Sequence, residues 1–297
     1  MGKIAVLLND ACRERERLGA EPGLRASRIA GGDDWAVEDV LCTYRPNDRQ
    51  FAERHDRYRV ALVGAGTFDC CGPHGRELLT PGSLLLGNAR ESFECGHAHG
   101  TGDRCLAFAY SSQLFERLSF DAGVRGKPGL RAVRVPPIAA LAPLVAELGT
   151  AWEVGPRAGD WDELGVRLAA AAVRLAAEPK CTPRSPANAE RGIVRAVRLI
   201  ERDPCADLPL DALAREANLS RFHFVRMFAG VTGLTPHRYV RRARLRKAAV
   251  RLATGETRVV DVALTSGFTD VSTFNHAFRA EFGMAPREHR ARLKRAH

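Results

Sequence analysis

Cys95, His97 and His99 stand at alternate positions, so on an extended strand their side chains would share one face. Thiolate and imidazole are ligands that Zn²⁺ and Cu⁺ accept. Cys105 follows shortly after, and Cys70, Cys71 and His74 lie on a neighbouring stretch. Cys95, His97, His99 and Cys105 are therefore candidates for holding a metal ion such as zinc, or for thiol sensing. The competing reading is a glycine-rich loop with incidental polar residues and small buried cysteines, which are common core fillers. The eight cysteines do not read as a disulfide framework, and most are expected to be reduced.

The elements that must position such groups follow from pattern and length. A chain of 297 residues suits two domains. With 45% apolar and 27% charged residues it can bury a core, which excludes disorder, collagen and coiled coil. No apolar run reaches the roughly 18 residues of a spanning helix, and the best one, Leu168 to Ala177, is broken by Arg174. Ile4 to Leu8 runs at once into Asn9 and Asp10, which is no signal-peptide pattern. A cytoplasmic protein without a membrane partner is expected. Residues from about 35 to 110 read as short strands, such as Tyr58 to Val63 and Leu84 to Leu86, punctuated by glycines. That favours a sandwich or barrel. Between 136 and 178 the spacing turns helical: Ile138, Leu141, Leu144, Val145 and Leu148, then Trp161, Leu164, Leu168, Ala172 and Leu175. Two such helices either cover the sheet or form a dimer seam. Residues 178–189 carry three prolines and little apolar bulk, a linker signature.

The net charge of +10 breaks at the same place. Residues 188–297 hold 21 Lys and Arg against 11 Asp and Glu, whereas the rest of the chain holds 24 of each. An excess confined to one part of the chain points to a polyanion partner there. That basic part also repeats itself. Phe224, Phe228, Gly233 and Pro236 recur 50 residues later as Phe274, Phe278, Gly283 and Pro286. Ahead of each copy lies a short amphipathic helix (Leu210, Leu213, Ala214, Ala217; Val259, Val262, Ala263, Ser266). Each such helix ends in a tight turn, Asn218-Leu219-Ser220 or Gly267-Phe268-Thr269, with residues that accept the left-handed conformation. Ser220, and Thr269 or Asp270, offer oxygens to cap the next helix. Helix, short turn and capped second helix is the helix-turn-helix pattern. Between the copies, Pro236 to Ala253 reads as one long helix bearing Arg238, Arg241, Arg242, Arg244, Arg246, Lys247 and Arg251.

With both copies in register, the last 110 residues strongly resemble the AraC/XylS family of bacterial transcription regulators, most specifically through Gly267-Phe268, Phe278, Phe282-Gly283 and Pro286. The resemblance implies two helix-turn-helix subdomains joined by a long helix, each placing a recognition helix in adjacent major-groove segments of double-stranded DNA. Carried over, the recognition helices are Ser220 to Gly230 and Asp270 to Phe282. Near the groove they would present Ser220, Arg221, Phe222, His223, Val225 and Arg226 in the first, and Val271, Ser272, Thr273, Asn275 and His276 in the second. Arg226 suits guanine and Asn275 suits adenine, while Val225 offers only apolar contact to a thymine methyl. Arg241, Arg242, Arg279 and Arg287 are the phosphate candidates. Asp270 would repel phosphate and is assigned to capping.

His55, Tyr58 to Gly66 and Leu79-Thr-Pro-Gly-Ser-Leu-Leu-Leu look like the cupin-type barrel that such regulators often place N-terminally, over roughly residues 30–115. Here His97-Ala-His99 follows the Pro-Gly turn instead of preceding it, and no downstream Glu completes the set, which speaks against cupin catalysis. The expected fold class is α+β: a cupin-like β-barrel with helices, linked to an all-α domain with two helix-turn-helix motifs. The expected divisions are 1–125 for sensing a small-molecule or metal effector, 126–178 for a helical, dimer-forming segment, 179–189 for the linker and 190–297 for DNA. A homodimer, and RNA polymerase if the protein activates, complete the partners. No catalytic role is expected. The rival reading is a cysteine alkyl-acceptor of the DNA-repair type, with Cys42, Cys70 or Cys95 as acceptor. A third is an architectural protein that coats DNA without specificity.

Overall fold

Residues 3–46, 48–49, 51–97, 102–124, 129–155, 160–176, 187–254 and 258–295 are described by the computed structural model. Internal contacts divide the chain into two units. One comprises Ile4–Pro137 and Asp160–Pro183, the other Met1–Lys3, Ile138–Gly159 and Arg184–His297. Most of the expected linker, 179–186, lies outside the described residues.

In the first unit, α1 (Lys3–Leu18) precedes β1 (Leu24–Gly31), β2 (Trp35–Cys42), β3 (Phe51–Arg54), β4 (Tyr58–Gly66), β5 (Phe68–Gly72), β6 (Gly75–Leu79), β7 (Leu84–Gly87), β8 (Ser92–Gly96) and β9 (Asp103–Tyr110). Helix α2 (Ser112–Asp121), the short β10 (Arg134–Val135) and α4 (Trp161–Ala176) complete it. The strands form a six-stranded sheet, β1-β2-β9-β4-β7-β10, and a four-stranded sheet, β3-β8-β5-β6. All described pairings are antiparallel. The two sheets are not joined by a ladder among the described residues, so the closed barrel expected from sequence is here a pair of open sheets.

Strand β9 shows why they pack. Its side chains alternate between faces. Cys105 and Ala107 join Ala61 and Val63 in a core with Phe68, Cys70, Leu79 and Cys95 of the smaller sheet. Phe108 and Tyr110 turn the other way, where α4 lies: Phe108 meets Trp161 at 6.3 Å between ring centroids, and the Tyr110 hydroxyl donates to the Gly165 carbonyl at 2.8 Å. A strand buried on both faces has little polar alternation to show, which is why β9 reads as a nearly continuous apolar run. At the far end of β4, Gly66 adopts φ +80, and a Cβ there would stand 2.2 Å from the Gly102 carbonyl oxygen. Only glycine lets that backbone close on the start of β9.

The second unit holds a 3-10 turn at Ala139–Leu141, α3 (Ala142–Val154), α5 (Ala187–Arg202), α6 (Leu210–Glu216), α7 (Arg221–Thr232), α8 (Pro236–Thr254), α9 (Val259–Thr265), α10 (Val271–Phe282) and α11 (Pro286–Arg295). The two helices expected between 136 and 178 therefore separate. Helix α4 covers a sheet, while α3 packs on α8 and α10, with Ala146 in their shared core. Both repeat copies close their first helix alike: Asn218 at φ 60 and Gly267 at φ +80 are left-handed, and the amides of Leu219 and Phe268 donate back to the carbonyls of Ala214 and Ala263 at 3.0 and 3.3 Å. Gly233 and Gly283 cap α7 and α10 in the same conformation. Proline then opens α8 and α11, where its missing N–H costs nothing.

Candidate functional site

Helix periodicity leaves α7 and α10 each with one buried and one open face. Phe224 and Phe228 are fully buried against Tyr239, with ring centroids 5.3 and 5.5 Å apart. Phe274 and Phe278 repeat this arrangement beside Phe282 and His289. Opposite these rings, α7 exposes Arg221, Phe222 and Arg226, with His223 and Val225 half-buried at the margin. Phe222 is 81% exposed, unusual for a large apolar side chain. Helix α10 exposes Ser272, Thr273, Asn275, His276 and Arg279, with Val271 half-buried. Arg241 and Arg287 are also exposed.

The helix starts differ. The Asp270 carboxylate accepts from the Thr273 amide at 2.7 Å and the Thr273 hydroxyl at 2.8 Å, which holds it below the usual carboxylate range. The sequence assignment of Asp270 to capping matches this geometry, and it occupies the Thr273 hydroxyl, one of the expected DNA contacts. Ser220 sits at the equivalent start of α7 but its side chain makes no capping bond. There Arg221 pairs with Asp211 of α6, so part of its charge serves to hold α7 on α6.

The long helix α8 corrects one assignment outright. Arg242, expected on phosphate, is only 4% exposed, and its Nε meets Glu281 of α10 at 2.8 Å. A guanidinium in that position is out of reach of a phosphate. Its neighbours Arg246 and Lys247 pair with Glu201 and Asp203 at 2.7 and 3.3 Å, leaving Arg238 and Arg241 as the exposed cations of the first two turns.

Arg244 has a different task. Its guanidinium donates to the carbonyls of Pro204 (2.7 Å), Ala206 (3.0 Å) and Gly267 (2.8 Å). One side chain thus ties the loop before α6 to the turn before α10, across the two copies. Arg244→Ala is expected to lower the stability of this unit by about 2–3 kcal/mol, because charged hydrogen bonds are lost and carbonyls are left unpaired. Arg244→Lys should recover only part, since an ammonium does not reproduce the planar fork. Urea unfolding followed by far-UV circular dichroism measures both, and an unchanged midpoint for the alanine variant would mean that the clasp adds no stability.

Facing sheets leave a cavity of about 190 Å³ in the first unit. Val40, Phe51, Phe68, Leu85 and Phe93 give it apolar walls, and Glu38, Arg59, Glu53 and His55 add charged and polar groups. Arg59 pairs with Glu38 at 2.8 Å and His55 with Glu53 at 2.9 Å. Cys42, Cys95, Asp103 and Cys105 also line it.

Of the expected metal ligands, the fold keeps His97 and Cys105 near one point. His97 Nε2 lies 2.8 Å from Asp103 Oδ2 and 3.8 Å from Cys42 Sγ, while Cys105 Sγ donates to Asp103 Oδ1 at 3.2 Å. Cys95 instead stands opposite Cys70 across the β5–β8 ladder. Strand β8 ends at Gly96, before His97, so Cys95 and His97 do not share a strand face. His99 lies outside the described residues. Cys42 and Asp103 were not expected as ligands here, and only the pairing of Cys42 with Asp103 between β2 and β9 brings them together. Burial, and then the Asp103 carboxylate, push the Cys42 and Cys105 thiols well up. Cys42, Cys70 and Cys95 are all buried, so none of the three offers DNA an accessible thiolate of the kind an alkyl acceptor needs.

The helix-turn-helix domain family matches residues 213–292. Regulatory protein SoxS of Salmonella typhimurium is 38% identical over 86 residues, which are 29% of this chain and 80% of SoxS. The HTH-type transcriptional activator RhaS of Escherichia coli is 42% identical over 78 residues, 26% of this chain and 28% of RhaS. A solved transcriptional regulator with an AraC-type DNA-binding domain, from Chromobacterium violaceum, is 29% identical, covers 36% of this chain and 96% of its own, and has a TM-score of 0.34. Among the described residues no helix is long and apolar enough to cross a membrane.

Proposed function

The chain belongs to the AraC/XylS family of DNA-binding transcription regulators, and on that premise we propose that α7 and α10 read two adjacent major-groove segments while the cavity between the sheets takes an effector. The observation that carries this reading is the repeated architecture: a phenylalanine pair buried on one face and polar side chains exposed on the other, in both copies. Arg226 and Asn275 are the base readers, since guanidinium and carboxamide make bidentate bonds to guanine and adenine edges. Ser220, Phe222, His223, Val225, Val271, Ser272 and His276 flank them, and Arg241, Arg279 and Arg287 take phosphates. The connecting helix α8 has 19 residues, about 28 Å at 1.5 Å per residue, close to the ~34 Å between successive major-groove segments on one face.

Residues 1–125 form the sensing domain in this reading, a cupin-like pair of sheets whose apolar walls and few polar groups suit a small organic ligand. Residues 190–297 form the reader, and the protein acts as a regulator without catalysis. The apolar faces of α3 and α4 are buried within the chain.

Footprinting of the full chain on duplexes selected from a random pool tests the paired readers. Two protected segments about 10 base pairs apart are expected. Arg226→Ala should cost about 1–3 kcal/mol and relax base preference in one segment, and Asn275→Ala the same in the other. Arg241→Ala should weaken all sequences alike and flatten the salt slope by about one. A single protected segment, or both reader variants relaxing the same base pairs, would make the second copy a scaffold.

A further inference from the structure

We propose that Cys42, His97 and Asp103 form a binding site for a zinc-like divalent cation in the wall of the cavity, with the fourth coordination position open to the cavity's interior. This goes beyond the reading of DNA and does not depend on it.

The three groups arrive from three separate places and meet at one point. Cys42 ends β2, Asp103 begins β9 as its ladder partner, and His97 follows β8 of the other sheet. All three are buried, and one ligand atom from each lies within 4.8 Å of the others. Zinc bonds of about 2.3 Å to sulfur and about 2.0–2.2 Å to nitrogen and oxygen, at tetrahedral angles, call for edges of roughly 3.6 Å (S···N) and 3.4 Å (N···O). The observed separations are 3.8 and 2.8 Å. The sulfur is already placed, and the carboxylate needs to withdraw by roughly half an ångström when a cation replaces the hydrogen bond.

Charge argues the same way. Asp103 is buried, and among the described residues its one ion-pair partner is His97, which carries charge only when protonated. A buried carboxylate is costly unless it is paired, hydrogen-bonded or coordinated to a cation. A divalent cation held by one thiolate, one carboxylate and one neutral imidazole has no net charge. A monovalent soft ion such as Cu⁺ would leave a residual negative charge, and a carboxylate suits it poorly.

The surroundings resemble a supported, accessible metal site. Cys105 donates to the outer Asp103 oxygen, the kind of second contact that orients a ligating carboxylate. Cys42 and Asp103 both line the cavity, so an ion between them is reached from it. Three protein ligands with an open position is the pattern of sites that take an exchangeable fourth ligand. That fourth ligand is a water, or a donor atom of a small molecule occupying the cavity.

The test uses the full chain, stripped with chelator and titrated with Co²⁺ alone. The expected result is about one Co²⁺ per chain, with a thiolate-to-cobalt charge-transfer band and the intense visible bands of tetrahedral cobalt, both abolished when Zn²⁺ displaces it. Cys42→Ser should lose the charge-transfer band, His97→Gln should weaken binding by at least about 100-fold, and Cys95→Ser should keep the band. X-ray absorption of the zinc-loaded wild type needs no variant to fold: sulfur at about 2.3 Å together with nitrogen and oxygen supports the site. Failure of the wild type to take up Co²⁺ stoichiometrically, a shell without sulfur, or a band lost in Cys95→Ser and kept in Cys42→Ser would each overturn it.

Discussion

Replacing Arg242 by alanine is expected to destabilise the helical unit by about 3–5 kcal/mol while leaving the salt slope of DNA binding unchanged. The guanidinium is buried between α8 and α10 and ion-paired with Glu281 at 2.8 Å. Burial lowers its pKa, a sign that the charged form bears a desolvation penalty the pair must offset. Removing only the arginine strands the Glu281 carboxylate in a dry interface, which costs more than the pair itself contributes. Arg242→Met with Glu281→Leu should recover most of the loss, since replacing both partners by apolar groups of similar volume is often neutral. Urea unfolding of the two variants decides this. A variant of unchanged stability whose DNA affinity falls on all sequences would return Arg242 to the phosphate backbone.

Phe274→Ala carries an effect of similar size, about 3–5 kcal/mol, because a fully buried ring leaves a cavity its neighbours do not refill. Phe274 stacks edge-on to Phe268 at 5.2 Å and packs beside Phe278 at 5.5 Å, within the core that includes Leu245, Leu252 and Val262. Phe268 directly follows the left-handed Gly267, so this ring also anchors the turn that aims α10. Under mild denaturant the variant should lose protection of one DNA segment before the other, and Phe224→Ala should reverse the order. If both segments disappear together in both variants, the two copies unfold as one cooperative unit and the single-segment expectation is lost.

The repeat in the last 110 residues was legible because its determinants are local. A phenylalanine pair at i and i+4 selects one helix face. Asn218 and Gly267 mark left-handed turns, and proline after a glycine cap marks the next helix start, all within a few residues. Even so, the copies differ by one residue. Thr269 is extra between Phe268 and the Asp270 cap, whereas Ser220 follows Leu219 directly and caps nothing. The charge of the basic part was equally plain from counting, but its distribution was not. Arg242, Arg244 and Arg241 are near neighbours on one helix, and they end up in a buried ion pair, a carbonyl clasp and open solvent. Which of these a given arginine meets depends on the residues opposite, and those lie 23 to 40 positions away in the chain.

In the first unit, periodicity marked strands between 35 and 110 but left their order open, and with it every pairing across the sheets. Cys95 and His97 looked like partners because alternate positions of an extended strand share one face. The fold sets Cys95 opposite Cys70 and gives His97 to Cys42 and Asp103. Alternation along one strand determines which face a residue occupies. Which residues stand opposite is decided only when the whole sheet closes its hydrogen bonds, and a cluster built from the ends of β2 and β9 and the residue after β8 exists only through that tertiary choice.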